Sequence, residues 1–126
     1  MARIEGKTDG APTPVAPYSQ AVRIGTSIAV SGQAGVDPTT GTFAAEDVGG
    51  QTVQTFQNIA AALAACGASL DDVIRVDVYL SAMTDFAAMN DEYAKVFSKP
   101  YPARTTVGVQ LPPGMKIEIT AFAVQG

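Results

Sequence analysis

The stretch Pro102-Ala-Arg-Thr-Thr-Val-Gly-Val-Gln-Leu-Pro-Pro-Gly-Met-Lys-Ile-Glu-Ile-Thr-Ala-Phe-Ala-Val124 decides the fold class of the chain. On either side of Leu-Pro-Pro-Gly, apolar and less apolar residues alternate with the period of two that places successive side chains on opposite faces of a sheet. Arg104 and Thr106 share the less apolar face of the first predicted strand, and Glu118 lies on the less apolar face of the second. Each such face is either a solvated surface or the wall of a site. The pattern leaves open whether the two strands pair directly or are joined by a crossover.

Upstream of this stretch, strand-like and helix-like segments alternate. Gly25 lies between two short alternating runs and predicts a hairpin, because glycine supplies the positive φ that a tight turn requires. Asp47 and Thr84 are placed to cap two helices, and Gly67 is placed to end the first of them. The predicted elements are strands over about 21–24 and 27–31, a helix over about 48–66, a strand over 73–80 and a helix that ends near 97. With the two C-terminal strands they indicate an α+β domain that has two helices on one face of a sheet.

The spacing of apolar residues predicts which side of each element faces the core. Asn90 falls within the stripe of the second helix, which predicts a buried amide. Residues 1–15 are predicted to form an extended or mobile arm, with order beginning near Pro17, because prolines are excluded from helix interiors and central strands. The predicted core side chains are Val53, Phe56, Ala60 and Leu63, then Ile74, Val76, Val78 and Leu80, and then Phe86, Met89, Tyr93 and Phe97.

The sheet face without helices is predicted to be too apolar to remain in water. A closed homo-oligomer is the economical way to cover it, and the polar residues on this face would then line clefts between subunits. The residues assigned to this face are Val73, Arg75, Asp77, Tyr79, Thr106, Gly108, Thr120, Phe122 and Val124.

Composition narrows the classes of function. The 126 residues fit one domain, and the net charge of −4 without any cluster of Lys or Arg argues against a nucleic-acid partner. The single cysteine and the absence of a signal-like apolar segment predict a cytoplasmic protein, and no apolar run approaches the length of a membrane span. Small-molecule chemistry is therefore the better starting hypothesis.

The chain contains no histidine. Triads that use histidine, a histidine general base and the usual zinc sites are therefore excluded. Carboxylates, phenols and backbone groups remain for acid–base work. Neither a metal nor a cofactor is predicted.

Several short motifs together resemble the RidA/YjgF family of reactive-intermediate deaminases. They occur in order along nearly the whole ordered chain, and no single one is specific alone. The motifs are Tyr18 after a proline, Val30-Ser-Gly-Gln33 followed by a Pro-Thr-Thr-Gly turn, Asn58, Asp85-Phe86 with Asn90, Pro102-Ala-Arg104, Leu111-Pro112 and Ile117-Glu-Ile119.

The resemblance implies a chorismate-mutase-like fold, with a mixed sheet and a homotrimer whose sites lie between subunits. It also implies hydrolysis of small 2-imino acids, such as 2-iminopropanoate and 2-iminobutanoate, to 2-oxo acids and ammonia. Thr106 stands where the best-known deaminases often carry cysteine, so the substrate range is open.

The residue types fit this chemistry. The planar fork of Arg104 suits a carboxylate held by two parallel hydrogen bonds, and Glu118 is the candidate acid–base that activates a water. The backbone at Gly32 allows close approach of a ligand, and Thr106 shares a face with Arg104. Tyr18, Ser31 and Asn90 are further candidates for substrate contact, each with a structural alternative: an interface aromatic, a strand residue and a core amide, respectively.

Two other classes of function remain. A trimer that only binds small carboxylates, such as 2-oxo acids, as a sensor would need Arg104 but not Glu118. Ribonuclease or translation-inhibitor activity, attributed to some members of the family, is disfavoured by the acidic balance and the missing basic stripe.

Overall fold

The alternating stretch around Leu111–Gly114 forms two strands that do not pair with each other. The computed structural model describes residues 1–126 and contains six strands and two α-helices. Short 3-10 turns cover Leu70–Asp72 and Met83–Asp85. The elements are β1 (Ile4–Gly6), β2 (Ala21–Ile24), β3 (Ser27–Ala34), α1 (Val48–Ala65), β4 (Val73–Leu80), α2 (Phe86–Val96), β5 (Ala103–Gly108) and β6 (Ile117–Val124).

The six strands form one mixed sheet in the order β1-β2-β3-β6-β4-β5. Only β4 and β5 run parallel, and every other neighbouring pair is antiparallel. The Leu-Pro-Pro-Gly segment is therefore a crossover, which carries the chain from the edge strand β5 past β4 to the central strand β6. Gly114 has a φ of 84° within this crossover, a conformation that favours glycine.

Both helices pack on one face of the sheet, which confirms the predicted α+β architecture. A single cluster of 20 buried apolar residues joins α1, α2 and four of the strands. Each fully buried Ile, Leu or Met side chain stabilises the fold by about 1.5–3 kcal/mol relative to leaving it exposed. The side chains at the centre of this core include Ile28, Ile59, Leu63, Val76, Val78, Leu80, Met89, Ile117 and Ile119.

The limits of α1 agree with the prediction, but its buried side is broader and more polar. The side chain of Asp47 accepts a hydrogen bond from Gly50 N at 3.2 Å, and Gly67 ends the helix with a φ of 79°. Val53, however, is 41% exposed. Four further residues on the buried side of α1 are polar, and the apolar stripe did not include them. Each is tolerated there because its side chain donates a hydrogen bond to a backbone carbonyl. They are Gln51, Thr52, Thr55 and Asn58.

Thr84 does not cap α2, so that prediction is wrong. A 3-10 turn over Met83–Asp85 leads directly into the helix and includes Thr84, and the N-cap residue Asp85 makes no side-chain cap hydrogen bond. In the stripe of α2, Met89, Tyr93 and Phe97 are buried as predicted, but Phe86 at the first position of the helix is 39% exposed, so its prediction as a core residue is wrong.

A β-bulge changes the predicted faces at the start of β4. The pairing with β6 shifts between Val73 and Arg75, which leaves Ile74 without a partner. As a result Val73 is buried and Ile74 is 52% exposed, the reverse of what strict alternation predicts. From Val76 onward the alternation holds.

The N-terminal segment is more ordered than predicted. Ile4–Gly6 pairs with β2 as the edge strand β1, so order begins well before Pro17. The buried amide of Gln20 then fixes the following residues, since its Nε2 donates to the carbonyls of Thr8, Ala11 and Pro12 and its Oε1 accepts from Thr8 N. One side-chain amide thus replaces the pairing that the prolines cannot provide.

The parallel pairing of β5 with β4 determines which face Arg104 occupies. Arg104 lies beside Val76, and Thr106 lies beside Val78, so both point to the face that the helices cover. Gly108 lies beside Leu80. The prediction that Thr106 and Gly108 belong to the uncovered face is therefore wrong, because the pattern of β5 alone could not show which of its faces meets the helices. Neither helix is long and apolar enough to span a membrane.

Candidate functional site

The predicted site residues form two groups on opposite faces of the sheet. Arg104, Thr106 and Asn90 lie on the helix-covered side, at the edge formed by β5. Glu118 lies beside Tyr79 on the uncovered side. A single chain therefore does not bring its own Arg104 and Glu118 together.

Arg104 and Asn90 of the first group line the Arg104 pocket, a cavity of about 330 Å³ between α2 and β5. The guanidinium carbon Cζ of Arg104 lies 4.7 Å from the ring centroid of Tyr93 and 5.6 Å from that of Phe86. Its Nη1 lies 4.0 Å from the sulfur of Met89. The pocket is lined by Asn90, Tyr93, Ala94, Tyr101, Pro102 and Arg104.

The charge of Arg104 has no anionic partner in the chain. The two ion pairs of the structure join Arg75 to Asp77 and Lys95 to Glu92. Arg104 is held instead by two aromatic rings and a thioether, which attract a cation without neutralising it. A guanidinium remains protonated at any physiological pH, so its N–H groups are free to bind an anion such as a carboxylate.

Two buried hydroxyl groups near Arg104 also lack partners. The hydroxyl of Tyr93 and Oγ1 of Thr106 are both inaccessible to solvent and form no hydrogen bond within the chain. Burial raises the pKa of Tyr93, and the nearby charge of Arg104 only partly opposes this shift. The phenol therefore stays protonated at neutral pH. Unpaired buried hydroxyls are uncommon in folded proteins and are typical of sites that bind another molecule.

Asn90 lies at the rim of the Arg104 pocket and is only half-buried. The interpretation of this residue as a buried core amide is wrong, because α2 turns its side chain toward the edge strand rather than toward the centre of the sheet. Its position beside Arg104 is compatible with the other interpretation, a contact to a ligand.

The second group forms the Glu118 pocket on the uncovered face, a cavity of about 420 Å³. Tyr18 is 50% exposed there, and its backbone N–H donates to Ala16 O, which fixes the turn before β2. Ser31 is held by the segment just before β2, since its hydroxyl donates to Ser19 O at 2.6 Å and its N–H donates to Gln20 O. The pocket is lined by Tyr18, Ser31, Gly32, Tyr79, Glu118 and Thr120.

A second β-bulge shapes this pocket. The pairing of β3 with β6 shifts between Val30 and Gln33, so Ser31 and Gly32 together lie opposite a single residue. A Cβ atom at Gly32 would lie 2.9 Å from Cδ of Glu118, which is closer than carbon atoms approach without a shift. Gly32 is therefore required for the position that the carboxylate of Glu118 adopts.

The carboxylate of Glu118 forms no hydrogen bond or ion pair within the chain. It also borders a second cavity of about 500 Å³, whose other wall is the proline-rich segment that Gln20 anchors. Pro12 and Val15 of that wall, together with Pro38 and Met115 from two other loops, give this cavity an apolar surface. The carboxylate is thus free to contact a water or a ligand that enters from either cavity.

Sequence reasoning missed several residues of the two pockets. Phe86, Met89 and Tyr93 were predicted as core residues, and the spacing of seven from Phe86 to Tyr93 gave no indication that they contact Arg104. The bulge at Ser31 and the wall formed by residues 12–15 were also missed. The glycine at position 32 within a strand was the one available signal, since glycine inside a strand often marks a bulge. No group of three or more His, Cys, Asp or Glu side chains is arranged to hold a metal ion.

A family model, curated relatives and solved structures each match nearly the whole chain. The family described as "Endoribonuclease L-PSP" matches residues 8–125. A RutC family protein of Pyrococcus horikoshii is 48% identical over 92% of this chain and 93% of its own length. The 2-iminobutanoate/2-iminopropanoate deaminase of Salmonella typhimurium is 39% identical over 94% of both chains. Among solved structures, TdcF of E. coli with bound serine superposes with a TM-score of 0.91 at 36% identity, over 98% of this chain and 99% of that one.

Proposed function

Because the chain belongs to the endoribonuclease L-PSP family, also called YjgF/RidA, we propose that it hydrolyses small 2-imino acids to 2-oxo acids and ammonia without a cofactor. The substrates would be 2-iminopropanoate and 2-iminobutanoate, as the name of the Salmonella typhimurium relative suggests. The observation that carries the proposal is the uncompensated guanidinium of Arg104 at the wall of an open pocket. A small acid with a carboxylate at one end fits that charge.

Arg104 would bind the substrate carboxylate through two parallel hydrogen bonds. This contact fixes the position of the neighbouring C2 carbon and withdraws electron density from the imine. The unpaired hydroxyl of Thr106, two residues along the same face, would donate to the same carboxylate. Asn90 at the rim would contact the substrate from the side of α2.

Glu118 would act as the acid–base. Its carboxylate accepts a proton from a water molecule while the water oxygen bonds to C2 of the protonated imine, whose C=N electron pair moves to nitrogen and gives a neutral carbinolamine. The same carboxyl group then gives that proton to the amine nitrogen. As the C–N bond breaks, the carboxylate takes the proton of the C2 hydroxyl, so that ammonia leaves, the C2 carbonyl forms, and the proton passes on to ammonia. A well-placed general acid–base contributes roughly 10²–10⁴-fold to a rate. Ser31, Gly32 and Tyr18, which line the same pocket as Glu118, would surround this water.

This mechanism requires a second copy of the chain, because Arg104 and Glu118 project from opposite faces of one sheet. The Arg104 pocket of one subunit would meet the Glu118 pocket of its neighbour. An interface that joins two different surfaces closes into a ring when the rotation between neighbouring subunits closes, and the homotrimer that the resemblance implies is such a ring. The uncovered face supports this arrangement, since it presents the aromatic side chains of Tyr79 and Phe122 and the exposed Val124.

Mixed assemblies test the proposal directly. Arg104→Ala and Glu118→Gln chains would each be inactive alone on 2-iminobutanoate generated in a coupled dehydratase assay. Unfolding the two together and refolding them would restore about a quarter of the wild-type activity, because about one site in four of a random closed ring combines the intact residues. Recovery of no activity, with intact assemblies on size exclusion, would show that the site does not lie between subunits. Wild-type chain that adds nothing to the spontaneous rate would refute the deaminase itself.

A carboxylate-binding sensor is the second candidate, and one observation favours it. The Arg104 pocket is complete within one chain and has its charge available without any contribution from Glu118. If the protein is a sensor, the Glu118→Gln variant would bind 2-oxobutanoate as tightly as the wild-type chain does. The wild-type chain itself would then show no turnover of imines. Ribonuclease activity is disfavoured by the net charge of −4, and a cytoplasmic location remains part of the proposal.

A further inference from the structure

We propose that Phe86, Met89 and Tyr93 form an uncharged cradle that positions the guanidinium of Arg104 for carboxylate binding. The proposal rests on the proposed function, because it assigns a role to residues behind the anchor of that same site. The role assigned to the three residues is positioning, since it acts through their rings and thioether on Arg104; Tyr93 alone of the three also lines the pocket.

The spacing of the three residues along α2 supports this role. Positions 86, 89 and 93 lie on one side of a helix, one above another. All three contact the same guanidinium: the Phe86 and Tyr93 rings at 5.6 and 4.7 Å from Cζ, and the Met89 sulfur at 4.0 Å from Nη1. A long arginine side chain on an edge strand has many accessible rotamers, and three contacts from one helix restrict them.

The cradle is itself fixed to the core. The ring of Tyr93 is 5.7 Å from that of Phe56 and 5.1 Å from that of Phe97, and Tyr93 is only 5% exposed. Phe56 and Phe97 also contact each other edge to face at 5.5 Å. This aromatic cluster joins α1 and α2, so the position of Arg104 is set by the packing of the two helices.

The absence of charge in the cradle has a chemical consequence. A carboxylate at any of these positions would form an ion pair with Arg104 and would compete with the substrate for its N–H groups. Aromatic faces and a thioether attract the cation but accept no strong hydrogen bond, so the N–H donors remain available. The cradle thus restrains the guanidinium of Arg104 without neutralising its charge.

The decisive variants test whether the aromatic ring, rather than the bulk of the side chain, restrains Arg104. Phe86→Leu and Tyr93→Leu remove the aromatic faces, whereas Phe86→Tyr and Tyr93→Phe preserve them. Val53→Ala on the outer side of α1 is the control, because Val53 is about as exposed as Phe86 but lies outside the pocket. The readouts are KM and kcat for 2-iminobutanoate, titration of the assembled protein with 2-oxobutanoate, and the NMR mobility of the Nε–Hε group of Arg104.

The loss of a ring should raise KM and weaken 2-oxobutanoate binding by roughly 2- to 30-fold, with kcat within about twofold of wild type. The Nε–Hε group of Arg104 should become more mobile in both Leu variants. Phe86→Tyr and Tyr93→Phe should recover most of the affinity that the corresponding Leu variants lose. The Val53→Ala control should match wild type in all three measurements.

Several outcomes would overturn the cradle. These are an unchanged KM in Phe86→Leu and Tyr93→Leu, a Tyr93→Phe variant as weak as Tyr93→Leu, or a wild-type chain that does not bind 2-oxobutanoate. If Tyr93→Leu unfolds, Phe86 still decides the question, because it is 39% exposed and its substitution costs the core little. Binding and mobility require no turnover: weakened binding in the Leu variants without deamination by any chain would support the cradle and refute the deaminase. Turnover by the wild-type chain, together with unchanged KM and unchanged 2-oxobutanoate binding in the Leu variants, would support the deaminase and refute the cradle.

Discussion

The Arg104 pocket and the Glu118 pocket differ in how the fold constructs them. The first is built from side chains, because α2 presents two rings and a thioether to an arginine on the edge strand β5. The second is built from the backbone, because a bulge in β3 and the glycine at position 32 make room for a glutamate on the central strand β6. Each pocket has one charged group without a partner in its own chain.

This difference indicates a division of work. A restrained guanidinium suits binding, which needs a fixed fork of donors, whereas a carboxylate beside open cavities suits proton transfer, which needs access to water. Substitutions in the two pockets should therefore affect different kinetic constants. Variants at four positions test that expectation, and a variant that changed kcat and KM equally would remove the distinction between the two pockets.

The largest effect is expected at Glu118. Glu118→Gln keeps the shape of the side chain but cannot exchange a proton, so kcat for 2-iminobutanoate should fall roughly 10²–10⁴-fold. Binding of 2-oxobutanoate, measured by calorimetric titration, should change by less than about fivefold because the carboxylate contact lies in the other pocket. A parallel loss of binding would show that Glu118 holds the ligand and does not only transfer protons.

Arg104 should give the complementary result. Arg104→Ala removes charged hydrogen bonds worth about 1.5–3 kcal/mol, so KM should rise roughly 10- to 150-fold. Arg104→Lys should recover only part of this loss, because an ammonium group keeps the charge but not the planar fork. Steady-state kinetics of the three chains at one ionic strength would check the order. Equal KM values for the Lys variant and wild type would mean that charge alone, without bidentate geometry, suffices.

The sequence predicted the elements of both pockets but not their relation. Alternation identified β4, β5 and β6, and the helix stripe identified Met89 and Tyr93 as buried, because these patterns follow from local geometry. Alternation could not place Arg104 on the helix side, since that depends on the parallel pairing of β5 with β4, which is a long-range contact. Nor could it detect a bulge, where one extra residue reverses the faces at Ile74 and shifts the strand at Ser31.

The buried polar residues were the other limit of prediction. Gln20, Gln51 and Asn58 are polar and therefore did not count toward any core-facing pattern. Each is buried because its amide bonds to carbonyl groups of a neighbouring loop: Asn58, for example, donates to Ala34 O and Val36 O. Such bonds depend on where the loops lie, which no spacing rule encodes.

Gly32 links the backbone of the second pocket to its chemistry. In Gly32→Ala the added Cβ would lie 2.9 Å from Cδ of Glu118, so the carboxylate must move. A displacement of a few tenths of an ångström should lower kcat roughly tenfold, since a misplacement of 1 Å costs about 100-fold. Because the effect acts through Glu118, Gly32→Ala should add little in a Glu118→Gln background. An independent, multiplicative loss in the double variant would place the role of Gly32 elsewhere, for example in the stability of β3.

The smallest effect is expected at Thr106, whose buried hydroxyl lies two residues from Arg104 on the same face of β5 and has no partner in the chain. Thr106→Val keeps the shape and removes the hydroxyl, so no hydrogen bond within the chain is lost. The free energy of unfolding, measured by urea titration of the assembled protein, should therefore stay equal or rise by up to about 1 kcal/mol.

The same variant should nevertheless bind 2-oxobutanoate more weakly. One neutral hydrogen bond contributes about 0.5–1.5 kcal/mol, which corresponds to a loss of roughly two- to tenfold in affinity. A variant with higher stability and lower affinity would assign the hydroxyl to the ligand, because a purely structural hydroxyl would change stability first. A loss of stability with unchanged affinity would instead mean that Oγ1 of Thr106 bonds to the neighbouring subunit, and the Arg104 pocket would then bind carboxylates through its guanidinium and Asn90 alone.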